Sequence, residues 1–329
     1  MTTVLVTGAT GILGSSVCEL LVGRGDRVRA LVRRVDSVDA RALAAAGVEV
    51  VAGDVTDRAS VDAATQGAEA VVHSAAVLGR PGVTLEDCFA ANVMGTIHVL
   101  TAAASFGNIP VVQVLTSTFF DRGSGPFTEH SPFDLLFRHG DVYSLTKRLA
   151  YAEGFARVAE GQDIRFMCPG AMYGPSICIE KTAQPNSFNG RLARAIRGEM
   201  PPQLPMTVSY VWTEDCARVC IGALDKGRAG ERFICQGDPA DSATIAENCN
   251  RACEIAGVPH RVSEIPRDQL DSPEVIAQFG TTMPALAKHK PAGPGVDDSI
   301  TRQKLGTALT STGVGFPKTI DWFRANGFI

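Results

Sequence analysis

The sequence predicts an α/β protein: a doubly wound parallel sheet followed by a smaller, discontinuous C-terminal region. Three observations carry this expectation. Short β-branched apolar runs alternate with alanine-rich helical patterns through the first half. A glycine triplet follows the first of those runs at once, and the alternation stops after Pro169, where prolines multiply. With 329 residues, 45% hydrophobic and 20% charged, the chain has room for one large α/β domain with an appendage, or for two domains sharing a cleft.

In chain order, Val4–Thr7, Val28–Val32, Val48–Ala52, Ala70–Ser74, Val111–Thr116 and Ile164–Cys168 read as strands. Such nearly continuous apolar runs are what strands buried on both faces require, because helices cover each side of a parallel sheet. Past Pro169, a loop-rich stretch holding Pro175, Pro185, Pro201, Pro202 and Pro205 surrounds one helix, Phe188–Gly198. Val208–Trp212 and Arg232–Gln236 read as strands, Asp215–Leu224 and Ala243–Ala256 as helices, and Thr319–Gly327 as a closing helix. The proline-bearing stretch Asp271–Asp298 gives no clear period. The expected division is 1–170 as the first domain, with 206–235 returning to it, and 171–205 plus 236–329 as the second region.

Composition excludes several classes. The formal net charge is −4, and the arginines are scattered among 35 acidic residues, so no basic stripe invites nucleic acid. No uninterrupted run of 18 apolar residues appears, so no membrane association is expected. The first residues enter a strand-like run without a basic leader, which makes a cytoplasmic location the expectation. Nine cysteines, an odd number, fit reduced and buried thiols. Cys216/Cys220 and Cys249/Cys253 stand at helical spacing without a nearby His, so no metal site is expected.

Thr7-Gly8-Ala9-Thr10-Gly11-Ile12-Leu13-Gly14 lies between the first strand and a helical pattern through Val17, Leu20 and Leu21. Glycines there permit a tight turn and close approach of backbone to a pyrophosphate, which rests on the helix N-terminus, where free N–H groups and the dipole favour negative charge. The context points to a dinucleotide-binding Rossmann sheet, with Gly8, Thr10, Gly11, Ile12 and Gly14 around the phosphates. Arg33 stands nineteen residues past Gly14, where an NAD-selective site places a carboxylate on the ribose. With Arg34 it suits a 2′-phosphate, so NADP(H) is preferred and NAD(H) is the alternative, with Asp36 or Asp39 as rival ribose ligands. Asp54 and Val55, in Gly53-Asp54-Val55, are placed to bracket an adenine; a plain turn aspartate is the competing use of Asp54.

Tyr143 and Lys147 are four residues apart, which puts a phenol and an ammonium on one helix face. An ammonium beside a phenol favours the phenolate and brings a hydroxyl that ionises near pH ~10 toward neutral-pH proton exchange.

Together these motifs resemble the extended short-chain dehydrogenases/reductases of the NAD-dependent epimerase/dehydratase superfamily, nearest in style to dihydroflavonol-reductase-like and 3β-hydroxysteroid-dehydrogenase-like members. His73-Ser74-Ala75-Ala76, Asn92-Val93-Met94-Gly95-Thr96, Leu115-Thr116-Ser117-Thr118 and Pro169-Gly170-Ala171-Met172-Tyr173-Gly174-Pro175 add to the resemblance, dense over about the first 175 residues. It implies that Ser74, Ala75, Ala76, Thr116, Pro169, Ala171 and Met172 line the cofactor. It also implies that Thr118 hydrogen-bonds the substrate oxygen, with Ser117 its rival, and that Tyr143 is acid/base. Lys147 then tunes Tyr143 and holds the nicotinamide ribose, and Asn92 completes a proton relay or serves a structural bond. A homodimer is implied as well. Phe119 and Phe120 replace the small residues common after the hydroxyl, and Trp212 stands where many members have histidine. With Tyr173 they suggest an apolar substrate wall, core packing being the competing use.

The expected activity is NADP(H)-dependent hydride transfer at a carbonyl or secondary alcohol of a fairly apolar small molecule. The alternative is an NAD-retaining nucleotide-sugar epimerase or dehydratase, for which Arg191, Arg194 and Arg197, at helical spacing, offer charge for a diphosphate. A third reading, a dinucleotide sensor without chemistry, is disfavoured by the intact Thr118, Tyr143 and Lys147.

Overall fold

The structure, a computed structural model, describes residues 1–78, 82–117, 120, 126–132, 142–279, 284, 287–288 and 295–329. Seven parallel strands form its main sheet: β1 (Thr3–Thr7), β2 (Arg27–Val32), β3 (Glu49–Ala52), β4 (Ala70–His73), β5 (Val111–Val114), β6 (Ile164–Pro169) and β10 (Arg232–Cys235). Their spatial order is β3-β2-β1-β4-β5-β6-β10, so the winding reverses between β1 and β4. Ligands of doubly wound sheets bind outside the carboxyl ends of the strands at such a reversal. Each expected strand of the first half forms, within two residues of its expected ends, and β10 returns to the sheet beside β6.

Successive strand residues point to opposite faces, and the core divides accordingly. Val4 and Val6 pack on one side with Val17 and Leu21 of α1 (Ile12–Arg24), Leu43 of α2 (Val38–Ala45), and Cys216, Val219 and Cys220 of α8 (Thr213–Lys226). Leu5 packs on the other with Val61 of α3 (Arg58–Thr65) and with Val99 and Leu100 of a long helix, α4 (Leu85–Ser105). Phe166 of β6 joins that side, meeting Tyr151 of α5 (Val142–Ala159) edge to face at 4.9 Å. By length and composition α4 would reach across a bilayer, but 56% of its most apolar window is buried within the protein. All nine cysteines are free and buried, as their number suggested.

The second region gathers β7 (Ala171–Tyr173), α6 (Ile179–Thr182), α7 (Phe188–Ile196), β8 (Thr207–Val208), β9 (Tyr210–Trp212), β11 (Ala243–Thr244) and α9 (Ile245–Ala256). It also holds α10 (Pro273–Phe279), α11 (Ser299–Leu305), which packs back against α8, and the closing helix α12 (Thr312–Ala325). Val208–Trp212, expected as one strand, divides at Ser209. β8 pairs antiparallel with β11, and β9 pairs parallel with β7. Residues 243–244, expected as helix, instead form β11, and Thr244 caps α9 through a reciprocal bond with Glu247. The closing helix begins at Thr312 rather than Thr319 and takes Pro317 inside it. Packing overrides the local proline signal there, since Gly315 lies so close to Tyr173 that a Cβ would stand 2.1 Å from its hydroxyl.

Candidate active site

The glycine turn is shaped by contacts that only glycine tolerates. Gly8 has φ +72°, and a Cβ there would come within 2.6 Å of the Ala75 amide nitrogen. At Gly14 a Cβ would meet the Gly8 carbonyl oxygen at 2.3 Å. Gly11 differs, because its only close neighbour is that same oxygen, at 3.2 Å. The space a side chain would fill above Gly11 therefore stays open at the N-terminus of α1, next to Ile12. A cradle of this shape fits a dinucleotide pyrophosphate.

From the turn, a chain of buried polar groups runs into the molecule. Thr96 Oγ1 donates to the Asn92 carbonyl (2.7 Å), so it accepts from His73 Nε2 (3.0 Å). His73 Nδ1 is then the acceptor for the Thr7 hydroxyl at 2.7 Å, and Thr7 Oγ1 in turn accepts the Ala75 N–H at 3.4 Å. Burial, and secondarily the charge of Lys147, hold the His73 imidazole down at about 3, so it stays neutral. Ser74 fixes the same corner by donating from its hydroxyl to the Thr7 carbonyl at 2.8 Å. Ala75 is half-buried and Ala76 exposed.

Asn92 sits in a π turn, Ala90–Met94, within α4. Its amide donates to the Val77 carbonyl (3.0 Å) and to Thr146 Oγ1 (2.9 Å), and its Oδ1 accepts the Val77 N–H at 2.7 Å. Through these bonds fully buried Asn92 ties the loop after β4 to α5. Thr146 also donates to the Val142 and Tyr143 carbonyls, at 2.8 and 3.0 Å, so the tie lands on the turn that carries Tyr143.

Tyr143 is half-buried one residue inside α5, and Lys147 follows one turn later on the same face, 4% exposed. The Lys147 ammonium donates to the Val114 carbonyl at the end of β5 (2.7 Å), and burial pulls it down to about 8. Thr116 and Ser117 are buried just past β5. Thr118 and Phe119, expected at the substrate oxygen, lie outside the described residues.

Arg33 and Arg34 are exposed at the end of β2 and make no ion pair among the described residues. Asp39, a rival ribose ligand, is turned away from that role. It is 2% exposed and its two carboxylate oxygens accept the backbone N–H groups of Glu180 and Lys181 at 3.1 and 3.3 Å. Asp54 folds one oxygen onto the Thr56 N–H and hydroxyl, both at 2.9 Å, as a turn aspartate does. Val55 packs beneath Gly95, where a Cβ would strike it at 2.9 Å. Pro169 ends β6, and Ala171 and Met172 form β7 beside Tyr210 and Val211.

Of the aromatic residues expected as a substrate wall, the three described ones, Phe120, Tyr173 and Trp212, pack inward instead. Phe120 is 3% exposed and stacks on Phe127 at 4.7 Å. Fully buried Tyr173 meets Trp212 at 5.6 Å and Phe316 at 5.0 Å. Large rings with so little open surface serve the core. Arg194 and Arg197 are likewise engaged locally, at the Glu199 carbonyl and carboxylate, and Arg191 lies over the Phe188 ring.

Fold and site together define a nicotinamide-dependent oxidoreductase of the short-chain type. A profile of the NAD dependent epimerase/dehydratase family matches residues 4–235, and the chain belongs to that family. It is 30% identical over 99% of its length to all of the sterol demethylase protein B of Methylococcus capsulatus. It is also 24% identical over 98% of its length to a putative dihydroflavonol 4-reductase of Synechocystis, of which the match covers 95%. Among solved structures, a nucleoside-diphosphate-sugar epimerase from Pseudomonas aeruginosa superposes with a TM-score of 0.80 at 21% identity, over 100% of this chain and 99% of the other. A dTDP-glucose 4,6-dehydratase from Bacillus anthracis, in complex with NAD, gives 0.77 at 16% identity over 99% and 97%.

Proposed function

We propose that the protein uses NADP(H) to move a hydride between nicotinamide and a ketone or secondary alcohol on an apolar molecule of the sterol class. The chemistry is supported by Tyr143 and buried Lys147 standing one turn apart on α5, with the Lys147 ammonium bonded at the carboxyl end of β5. NADP over NAD is supported by Arg33 and Arg34, exposed and outside any described ion pair, and by Asp39, whose carboxylate is taken up elsewhere. The substrate class is supported by the end-to-end match to a protein named for sterol demethylation, and by the local engagement of Arg194 and Arg197.

Bound nicotinamide supplies the hydride in reduction and accepts it in oxidation. In reduction, the Tyr143 phenol gives its proton to the oxygen of the carbonyl as that oxygen becomes an alkoxide; in oxidation the phenolate takes the alcohol proton back. The Lys147 ammonium stabilises the phenolate through its charge, and its bond to Val114 fixes its height above the sheet. A second reading, sugar-nucleotide epimerisation, has the named structural neighbours in its favour, but Arg194 and Arg197 are engaged with Glu199.

Tyr143→Phe tests the proposal. Turnover of a 3-hydroxysteroid or 3-ketosteroid should fall by about 10²–10⁴, with NADP⁺ affinity unchanged; a variant as active as wild type sinks it. We also propose a homodimer through α4 and α5, supported by the exposure of Leu85, Phe89, Leu145, Leu149 and Phe155. Sedimentation showing only monomer at micromolar concentration would exclude it.

A further inference from the structure

The segment between β7 and α7 crosses from the second region back to the glycine turn and is fastened there at several points. Ser176 and Ser15 of α1 share a buried hydroxyl–hydroxyl bond of 2.8 Å, and the Cys178 N–H donates to that same Ser176 oxygen at 3.0 Å. The Cys178 thiol reaches the carbonyls of Ala9 and Asp39 at 3.9 and 3.6 Å. Asp39 takes the N–H groups of Glu180 and Lys181, which anchors the short helix α6 against α2. Two of these anchors, Ser15 and Asp39, are side chains of α1 and α2, so the strap's position is set by the dinucleotide half.

Its outcome is the placement of Lys181. The ammonium donates to Thr10 Oγ1 at 2.8 Å, inside the glycine turn, and has no other hydrogen bond or ion pair among the described residues. An ammonium carries three donors, so two remain for a ligand. Lys181 is exposed overall, yet desolvation and the nearby charges of Arg33 and Arg34 hold its ammonium below the ordinary lysine range, against the pull of Asp39. Lys181 thus stands at the glycine turn, near the exposed Arg33 and Arg34 of the β2 end. The acidic groups nearby are Asp36 and Glu180, both exposed, and Asp39, which is occupied by the strap backbone.

Resting on the NADP(H) reading above, we propose that Lys181 is a cofactor-specificity residue that binds the 2′-phosphate of the adenosine ribose together with Arg33 and Arg34. The cluster repels itself when empty and is relieved by a dianion, whereas a plain ribose offers it nothing. The remote strap, and not the β2 end alone, would then set the preference for a phosphorylated dinucleotide.

Calorimetric titration of NADP⁺ and NAD⁺ into wild type, Lys181→Met, Lys181→Arg and Arg33→Ala tests this without turnover. Lys181→Met is expected to weaken NADP⁺ about tenfold and NAD⁺ less than twofold, with Lys181→Arg close to wild type. An unchanged NADP⁺ affinity in Lys181→Met, or an equal loss for both cofactors, overturns the role of Lys181, and the NADP(H) reading stands if wild type and Arg33→Ala still differ in preference. A wild type that binds the two alike overturns both.

Discussion

Two parts of the molecule bury polar side chains, and they treat them in opposite ways. Where β1, β4, α4 and α5 meet, Thr7, His73, Asn92, Thr96, Thr146 and Lys147 are all buried, and each has a protein partner of stated direction. Between β7, β9 and α12, Tyr173 and Tyr210 are buried with hydroxyls that have no protein partner among the described residues. Burial pushes both phenols well above their ordinary range. The first region is specified by direction: each donor names its acceptor, so a side chain of equal volume does not substitute. The second is specified by volume, through edge-to-face rings and a glycine without which they would not fit. Changes in the first region should therefore reach function and pH response, and changes in the second should reach stability alone.

The largest effect should come from the packed region. Gly315→Ala puts a methyl 2.1 Å from the Tyr173 hydroxyl and 2.9 Å from the Trp212 ring. Neither ring has room to withdraw, so the helix gain of Ala over Gly is outweighed and urea unfolding should show a loss of about 2–3 kcal/mol. NADP⁺ affinity should hold. A variant of normal stability, or one that unfolds normally but loses cofactor binding, breaks the comparison.

Thr146→Val probes the directional region at almost constant volume. Removing the hydroxyl leaves the Asn92 amide with the Val77 carbonyl alone and frees the Tyr143 turn of α5 from α4. A lost buried hydrogen bond of this kind costs about 1–2 kcal/mol. Unlike Gly315→Ala, it should also lower kcat several-fold at unchanged cofactor affinity, while Thr146→Ser restores both. A stability loss with normal kcat would reduce Asn92 and Thr146 to packing.

This contrast also explains what could be read from the sequence. The strands, the glycine turn and the Tyr143/Lys147 pair are local: a φ of +72° at Gly8, or two side chains one helical turn apart, is a demand a short stretch makes by itself. Asn92 was legible as a residue to watch, but its π turn and its bond to Thr146 arise only when α4 docks on α5. Lys181 lies far along the chain from Thr10, with nothing nearby in sequence to mark it. Phe120, Tyr173 and Trp212 show the reverse failure. Aromatic residues near motif positions suggested a substrate wall, and burial assigns their rings to the core. The first turns of the closing helix are not legible locally, because Gly313, Gly315 and Pro317 argue against helix, while the fit of Gly315 on Tyr173 decides for it.

The smallest effect, and the sharpest test of direction, is the response of His73 to acid. Its folded value of about 3 lies below the ordinary 6.5, so the unfolded chain takes up a proton that the native state refuses. The stability tied to neutral His73 is then fully present above pH 6.5 and is lost as pH falls through the window between the two values, by at most about 1.4 kcal/mol per pH unit. A glutamine at this position keeps one donor and one acceptor but cannot titrate. His73→Gln should be less stable than wild type at pH 7, and the gap should narrow by about 1 kcal/mol between pH 6.5 and 5.5 in paired urea titrations. Parallel curves would mean that His73 is solvated or charged in the native state. The Thr7–His73–Thr96 chain would then lose the fixed tautomer by which it joins the glycine turn to the helix that holds Tyr143 in place.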